Sequence, residues 1–373
     1  MVINSGTTSP LFLRDANRRI RLLIVDDSPL IRTILTAMLA DVPDIQIVGQ
    51  ATDGQEAVQM TLRLQPDIIT MDIRMPQMDG LEATRRILSV RPTPIIVVAS
   101  SVYSTDYNIA FNALEAGALT VIEKPKGLLS QDYENVREQL VTAVRTLAGV
   151  TVIPRRESKL ATSRVGPMTA MLQAMFDRPI QLIAIGASTG GPAVLKEILQ
   201  ELPKDFAIPI VIVQHVLAAF VPGLADWLGH NIRLPVSVGY DGEQLRPGKV
   251  VIAPGNCHLI VTPGGVLRME YSPPIEGQRP SATRLFQSVA RVFGSDVVGI
   301  ILTGMGEDGA DGLVELSKAG AHIIAQNQAS CTVYGMPKAA VDRGVVHEVL
   351  APDGIVTRLL KLNQHVQSIS FRR

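Results

Sequence analysis

The chain has little cysteine: of its 373 residues only Cys257 and Cys331 carry a thiol. Two thiols without paired spacing argue against a disulfide framework and against a structural zinc site. Charge of one sign is not in surplus either, since Lys plus Arg and Asp plus Glu number 35 each. A nucleic-acid binder would advertise a basic excess, so that class is not expected. The apolar runs are strand-sized, and the opening MVINSGTTSPLFLRDANRRI has no apolar core of signal-peptide length. A cytoplasmic protein without membrane insertion is expected.

What the chain does have is length for two cores, because single cores stop growing near roughly 250 to 300 residues. Residues 1–19 are polar and aperiodic and read as a disordered tail. From Ile20 short apolar strands alternate with amphipathic helices: strand Leu22 to Val25, helix Pro29 to Leu39, strand Ile45 to Val48, a helix from Gly54, strand Asp67 to Met71, helix Leu81 to Val90, strand Ile95 to Ala99, helix Tyr107 to Ala116, strand Leu119 to Ile122, and a helix to about Leu147. This α/β alternation predicts a doubly wound parallel sheet over 20–147.

Such sheets carry their working residues past the carboxyl ends of the strands. Asp26 and Asp27 follow the first strand, Asp72 ends the third, Ser100 follows the fourth, and Lys124 with Pro125 closes the fifth. Three carboxylates on one edge repel unless a hard cation sits among them, and Asp oxygens suit Mg²⁺. A lysine and a hydroxyl beside them suit a phosphoryl group. Any one of these residues could be a helix cap or a solvated charge, but complementary chemistry at every strand end argues for a site.

Residues 148–179 (from GVTVIPRRESK to MFDRP) carry basic and small residues with little periodicity and read as a linker, with a short helix expected at Met168 to Met175. Beyond it, over 180–373, the stretch IAIGASTGGPAVLKE is a strand, a tight turn and a helix opened by Pro192. Its GASTGG turn lacks the spacing of the usual phosphate loops. It could still hold an anion, could present Ser188 as a nucleophile, or could be an ordinary turn.

Two further strands bear on that choice. Ile208 to Val213 ends in Gln214 and His215, and Val297 to Leu302 ends in TGMGEDG, which contains Asp308. If both run parallel to the first, serine, histidine and aspartate emerge together as the parts of a triad. Chain order and the missing GxSxG elbow exclude an α/β-hydrolase. His215 could instead be a core histidine, and Asp308, with Asp311 close behind, could simply cap a helix starting near Gly312. Glycines flanking Met305 would let backbone N–H groups face a substrate oxygen. His258, in APGNCHL, is expected in a turn with a structural role, His230 and His322 have no partner signal, and Cys257 reads as a small buried thiol.

LIVDDSPLIR, MDIRMPQMDGLEA, the serine pair after IIVVA, and EKP resemble a two-component receiver domain over roughly residues 20 to 145. The resemblance implies phosphorylation at Asp72 by a histidine kinase, Mg²⁺ held by Asp26, Asp27 and Asp72, and a phosphoryl contact from Lys124. Counting forward from Asp72 puts Ala99 at the switch position, whereas counting back from Lys124 favours Ser100, with Ser101 in reserve. IGASTGGP, IVIVQHV, APGNCHL, RPSATRLF, GIILTGMGEDGADGL and ASCTVYGMPKAA resemble the catalytic domain of chemotaxis protein-glutamate methylesterases (CheB-like), over roughly residues 180 to 365. That resemblance implies Ser188 as nucleophile, His215 as base and Asp308 as orienting acid, with Thr189 and the Met305 backbone holding the oxyanion. The implied substrate is a glutamate γ-methyl ester on a chemoreceptor, and many members also deamidate glutamines. Thr283, Asn327 and Gln328 stand where that family usually has acidic residues. A non-catalytic receptor-docking adaptor would not need the triad, and a DNA-binding regulator would need a helix-turn-helix and a basic surface.

Overall fold

In the computed structural model, residues 18–100, 104–125, 127, 133–150, 152 and 180–370 are described. Most of the expected tail and linker, the Met168 to Met175 helix and Ser101 lie outside them. The first unit runs β1 (Ile20–Val25), α1 (Pro29–Leu39), β2 (Ile45–Ala51), α2 (Gly54–Leu64), β3 (Ile68–Asp72), α3 (Gly80–Val90), β4 (Ile95–Ala99), α4 (Ser104–Glu115), β5 (Thr120–Glu123) and α5 (Tyr133–Leu147). Its five parallel strands lie in the order β2-β1-β3-β4-β5. Helix starts are set by side-chain caps: Ser28, Asp53 and Asp79 each accept a backbone N–H from the first turn of α1, α2 and α3.

The second unit runs β6 (Leu182–Ala187), α6 (Gly191–Leu199), β7 (Ile210–Gln214), α7 (Val221–Asn231), β8 (Val236–Val238), β9 (Val250–Ile252), β10 (His258–Thr262), β11 (Val266–Glu270), α8 (Ala282–Phe293), β12 (Val297–Ile301), α9 (Ala310–Lys318), β13 (His322–Gln326), α10 (Met336–Asp342), β14 (Glu348–Leu350) and α11 (Pro352–Ser370). Seven parallel strands form the order β14-β13-β12-β6-β7-β9-β8, while β10 and β11 pair antiparallel on their own. The strands β6, β7, β12 and β13 are buried along their whole length, which is why they read as unbroken apolar runs. Two apolar layers, one on each face, enclose this sheet.

The expected parallel arrangement of the second unit is present, since β6 pairs with β12 on one side and β7 on the other. Some element bounds shift by a few residues, β7 running Ile210–Gln214, and one candidate residue is placed differently. His258 opens strand β10 rather than lying in the preceding turn, because its partner Glu270 on β11 comes from 12 residues along the chain and leaves no local signal. Among the described residues no helix is long and apolar enough to cross a membrane.

The two units meet through α4. Trp227 of α7 is buried, its ring centroid is 5.6 Å from that of Phe111, and its Nε1 donates to Asn112 Oδ1 at 2.9 Å. Lys196 of α6 pairs with Glu115 Oε1 at 2.6 Å and stands 5.4 Å above the Trp227 ring. The helices that follow Ser188 and His215 in the chain therefore both touch the first unit.

Candidate active site

Strand pairing brings Ser188 and His215 together. Ala187 is the register partner of Gln214, and the His215 N–H donates to Ala187 O at 2.9 Å, so the next residue of each strand leaves the sheet side by side. On the other flank Ile301 pairs with Gly186, and the Ser188 N–H donates to Thr303 O at 3.0 Å. Gln214, buried at the end of β7, ties the two loops together by donating Nε2 to both Ser188 O (2.8 Å) and His215 O (2.9 Å). Gln326 does the same one strand further out: Oε1 accepts the Thr303 N–H at 2.8 Å and Nε2 donates to Ser330 O at 2.9 Å. Neither glutamine was singled out from the sequence. The usable signal was a buried amide closing an apolar strand, which is tolerable only if it satisfies loop backbone.

Glycine is required at two points of this loop system. Gly190 precedes α6 at φ +79°, and a Cβ there would meet Thr332 Oγ1 at 2.3 Å. A Cβ on Gly304 would lie 2.7 Å from Ser188 Cβ and 2.3 Å from Met336 Sδ. Ser188 itself is half-buried, and Met305, also half-buried, follows Gly304 on the same rim. Thr189 is fixed through its carbonyl, which accepts from Thr303 Oγ1 at 3.0 Å.

His215 Nε2 lies 2.8 Å from Asp308 Oδ2. The other ring nitrogen, Nδ1, is buried and has no hydrogen-bond partner, so the Ser188 hydroxyl is not bonded to it. Asp308 is not a cap for the helix that follows it. It accepts from the first turn of α8 instead: Ser281 Oγ to Oδ1 at 2.6 Å, Ala282 N to Oδ2 at 2.7 Å and Thr283 N to Oδ1 at 3.1 Å. Burial works to raise the Asp308 pKa, but the hydrogen bonds from His215, Ser281 and Thr283 outweigh it and hold the carboxyl below its ordinary range. Asp308 is thus an anion at neutral pH, aimed at an imidazole.

The remaining sequence candidates fall into place around this core. Thr283 is buried, and its Oγ1 accepts the Gly309 N–H at 2.7 Å, a bond that fixes the loop just past Asp308. Asn327 caps a short turn by accepting the Ser330 N–H and hydroxyl, and Gln328 is exposed. His258 is buried and bonded at both nitrogens, to Pro273 O and to the Ser281 N–H. His322 pairs with Glu348 at 2.6 Å, on the far side of the sheet order, and His230 bonds Asp226 O within α7. Cys257 is buried and its thiol pKa is raised, chiefly by that burial.

The carboxyl edge of the first sheet carries a second constellation. Carboxylate oxygens of Asp26, Asp27 and Asp72 lie within 4.8 Å of one another, with Asp26 and Asp72 buried and Asp27 exposed. Lys124 Nζ stands 3.0 Å from Asp26 Oδ2 and 2.7 Å from Asp72 Oδ2. Burial first, and Asp26 second, push the Asp72 carboxyl up to about 6 against the pull of Lys124. Burial acts to lower Lys124, but Asp72 and Asp26 outweigh it and raise its pKa. One ammonium among three carboxylates leaves an excess of negative charge and hard oxygen donors, which fits a small divalent cation such as Mg²⁺. Beside them opens a cleft of about 520 Å³ lined by Asp27, Ile73, Arg74, Met75, Pro76 and Asp79. Ala99 pairs with Glu123, so Ser100 and Lys124 leave adjacent strand ends at this edge.

Residues 183–359 match the CheB methylesterase family, and residues 22–131 match the response regulator receiver domain. A protein-glutamate methylesterase/protein-glutamine glutaminase of Syntrophus aciditrophicus is 43% identical over 344 residues, covering 92% of this chain and 98% of that protein. One of Myxococcus xanthus is 43% identical over 343 residues, with 92% and 97% covered. The solved catalytic domain of a Thermotoga maritima CheB methylesterase is 37% identical, covering 49% of this chain and 98% of that one at a TM-score of 0.48.

Proposed function

This chain belongs to the CheB methylesterase family, and from that premise we propose that Ser188, His215 and Asp308 hydrolyse glutamate γ-methyl esters of a chemoreceptor under control of phosphorylation at Asp72. The observation that carries the reading is the 2.8 Å bond from His215 Nε2 to Asp308, at a strand end beside Ser188.

With Nε2–H committed to Asp308, Nδ1 is the nitrogen left to act as base. It takes the Ser188 proton as Oγ attacks the ester carbonyl, and Asp308 stabilises the imidazolium that results. The Met305 and Thr189 backbone N–H groups receive the oxyanion. Collapse of the tetrahedral species breaks the ester C–O bond, and the proton on His215 leaves with methanol. Water, deprotonated by the same nitrogen, then cleaves the acyl-serine to give glutamate. The relatives' names include glutaminase activity, and the same steps with ammonia as leaving group would deamidate a receptor glutamine.

Over 20–147 we assign a receiver and over 180–373 the hydrolase, joined by 148–179. Asp26, Asp27 and Asp72 would hold Mg²⁺, which when bound neutralises charge on the incoming phosphoryl group. Asp72 accepts that group from a histidine kinase, Lys124 pairs with it, and Ser100 is the hydroxyl that swings towards it. The unphosphorylated receiver restrains the Ser188 crevice, and phosphorylation releases it. The setting is the cytoplasm, with receptor membranes as the substrate source. Methanol release from methyl-labelled receptor membranes tests all of this together, using wild type, Ser188→Ala and Asp72→Asn, each with and without a small phosphodonor. Activity in Ser188→Ala would remove the nucleophile. Equal response of Asp72→Asn and wild type to the phosphodonor would remove the gating.

A further inference from the structure

We infer that His258 is a positioning residue for ester hydrolysis, acting through Ser281 to fix the carboxylate of Asp308; this rests on Asp308 being the orienting acid. His258 is fully buried at the start of β10. Its Nδ1 lies 3.1 Å from the Ser281 backbone nitrogen, and a backbone N–H can only donate, so Nδ1 carries no proton. The ring proton is then on Nε2, which donates to Pro273 O at 3.1 Å. One imidazole therefore pins both ends of the segment from Pro273 to Ser281.

Ser281 is where that anchoring reaches the acid. It is the N-cap of α8, and its hydroxyl donates to Asp308 Oδ1 at 2.6 Å while accepting from the Arg284 N–H at 3.3 Å. The next two backbone N–H groups, of Ala282 and Thr283, bind the same carboxylate. Each Asp308 oxygen thus has assigned donors: Oδ1 takes Ser281 and Thr283, and Oδ2 takes Ala282 and His215. Turning the carboxylate would break that set. The first turn of α8 can aim Asp308 only if the turn itself is fixed. The Ser281 N–H, which precedes the helix and has no partner within it, is the group that His258 holds. His258 makes no hydrogen bond to Asp308 or to His215, so its influence passes through Ser281.

Two substitutions separate positioning from packing. Asparagine places a carboxamide oxygen near the Nδ1 position and keeps the acceptor for Ser281, whereas glutamine reaches the Nε2 position and keeps only the donor to Pro273. In the full-length chain with a small phosphodonor, His258→Gln is expected to lower kcat for methanol release about tenfold at unchanged KM, and His258→Asn to stay within about threefold. In an Asp308→Asn background His258→Gln should cost nothing further, because the carboxylate it would misplace is gone. Ser281→Ala keeps the backbone N–H that His258 holds and removes the second half of the link, the hydroxyl bond to Asp308. It should lose about tenfold in kcat, with Ser281→Thr restoring most of it.

Equal losses in His258→Asn and His258→Gln, a His258→Gln loss that persists undiminished in Asp308→Asn, or full kcat in Ser281→Ala would each overturn the inference. If Asp308→Asn is inactive while His258→Gln is as fast as wild type, only the role of His258 fails. If Asp308→Asn is as active as wild type, the acid assignment fails and this inference falls with it.

Discussion

His215 meets Asp308 through Nε2 rather than through Nδ1, at 2.8 Å. Asp308 therefore selects the tautomer with the proton on Nε2 and leaves Nδ1 bare for the proposed nucleophile, Ser188. In the neutral ring of His215, nitrogen-15 spectra of histidine-labelled protein should show the proton on Nε2 and not on Nδ1. Asp308→Asn should lower kcat by about three to four orders of magnitude, because the amide can present the wrong partner to the ring and no longer stabilises an imidazolium. A protonated Nδ1, or a loss of only a few-fold, would contradict this arrangement.

Asp72 is held at a cost. Its carboxyl pKa is raised from 3.8 to about 6 by burial and by Asp26, with Lys124 opposing. A folded pKa above the unfolded one means that the stabilising contribution is present below about 3.8 and is lost as pH rises through about 6. At pH 7 to 8 the ionised group is a burden, so Asp72→Asn should stabilise the receiver by roughly 1–3 kcal/mol there, with the gain shrinking towards pH 5. Millimolar Mg²⁺ should narrow the gap by stabilising wild type more than the variant, and EDTA should restore it. Urea unfolding followed at several pH values decides the sign.

Gly304 leaves no space for a methyl group beside Ser188, the proposed nucleophile, since its Cβ would meet Ser188 Cβ at 2.7 Å and Ser188 N at 3.1 Å. Gly304→Ala should lower kcat about a hundredfold through displacement of Ser188 while phosphorylation of Asp72 proceeds at the wild-type rate. Comparing methanol release with phosphodonor uptake on the same preparation separates a local displacement from general misfolding.

Thr283 tests how much the acid loop depends on one neutral side chain. Its hydroxyl accepts the buried Gly309 N–H at 2.7 Å. Thr283→Val keeps the shape and removes the acceptor, so it should cost about 1–3 kcal/mol of stability and lower kcat more than it raises KM.

Both parallel sheets were legible in the chain because buried strands such as IVIVQ and VVGII are continuous apolar runs whose polar residues come only at their ends. Ser188, His215 and Asp308 stood out for the same reason. Contacts that join distant segments left no comparable trace. Asp308 looked locally like a cap for the helix after it, yet its donors are Ser281, Ala282 and Thr283 at the start of α8. His258 looked like a turn residue after Pro254 and Gly255, because its antiparallel partner strand and its bond to Ser281 are both set by tertiary contacts. The meeting of α4 with α6 and α7 was equally hidden, since Asn112 and Glu115 look like ordinary polar positions of an amphipathic helix until Trp227 and Lys196 face them.

That meeting has a built-in reporter, because Trp227 is the only tryptophan in the chain. It is buried at 2% exposure, bonded to Asn112 and packed on Phe111 of α4. The receiver's effect on the hydrolase has to cross here if α4 carries it, since α6 starts three residues after Ser188 and α7 follows the His215 loop. Phosphodonor and Mg²⁺ should red-shift Trp227 emission and increase its quenching by acrylamide in wild type but not in Asp72→Asn. Trp227→Phe keeps most of the apolar contact and removes the hydrogen bond to Asn112, a loss of about 1 kcal/mol, so unphosphorylated activity should rise several-fold. Activation with no change in emission would instead mean that α4 stays seated on α7, and that the crevice is released by some other part of the receiver.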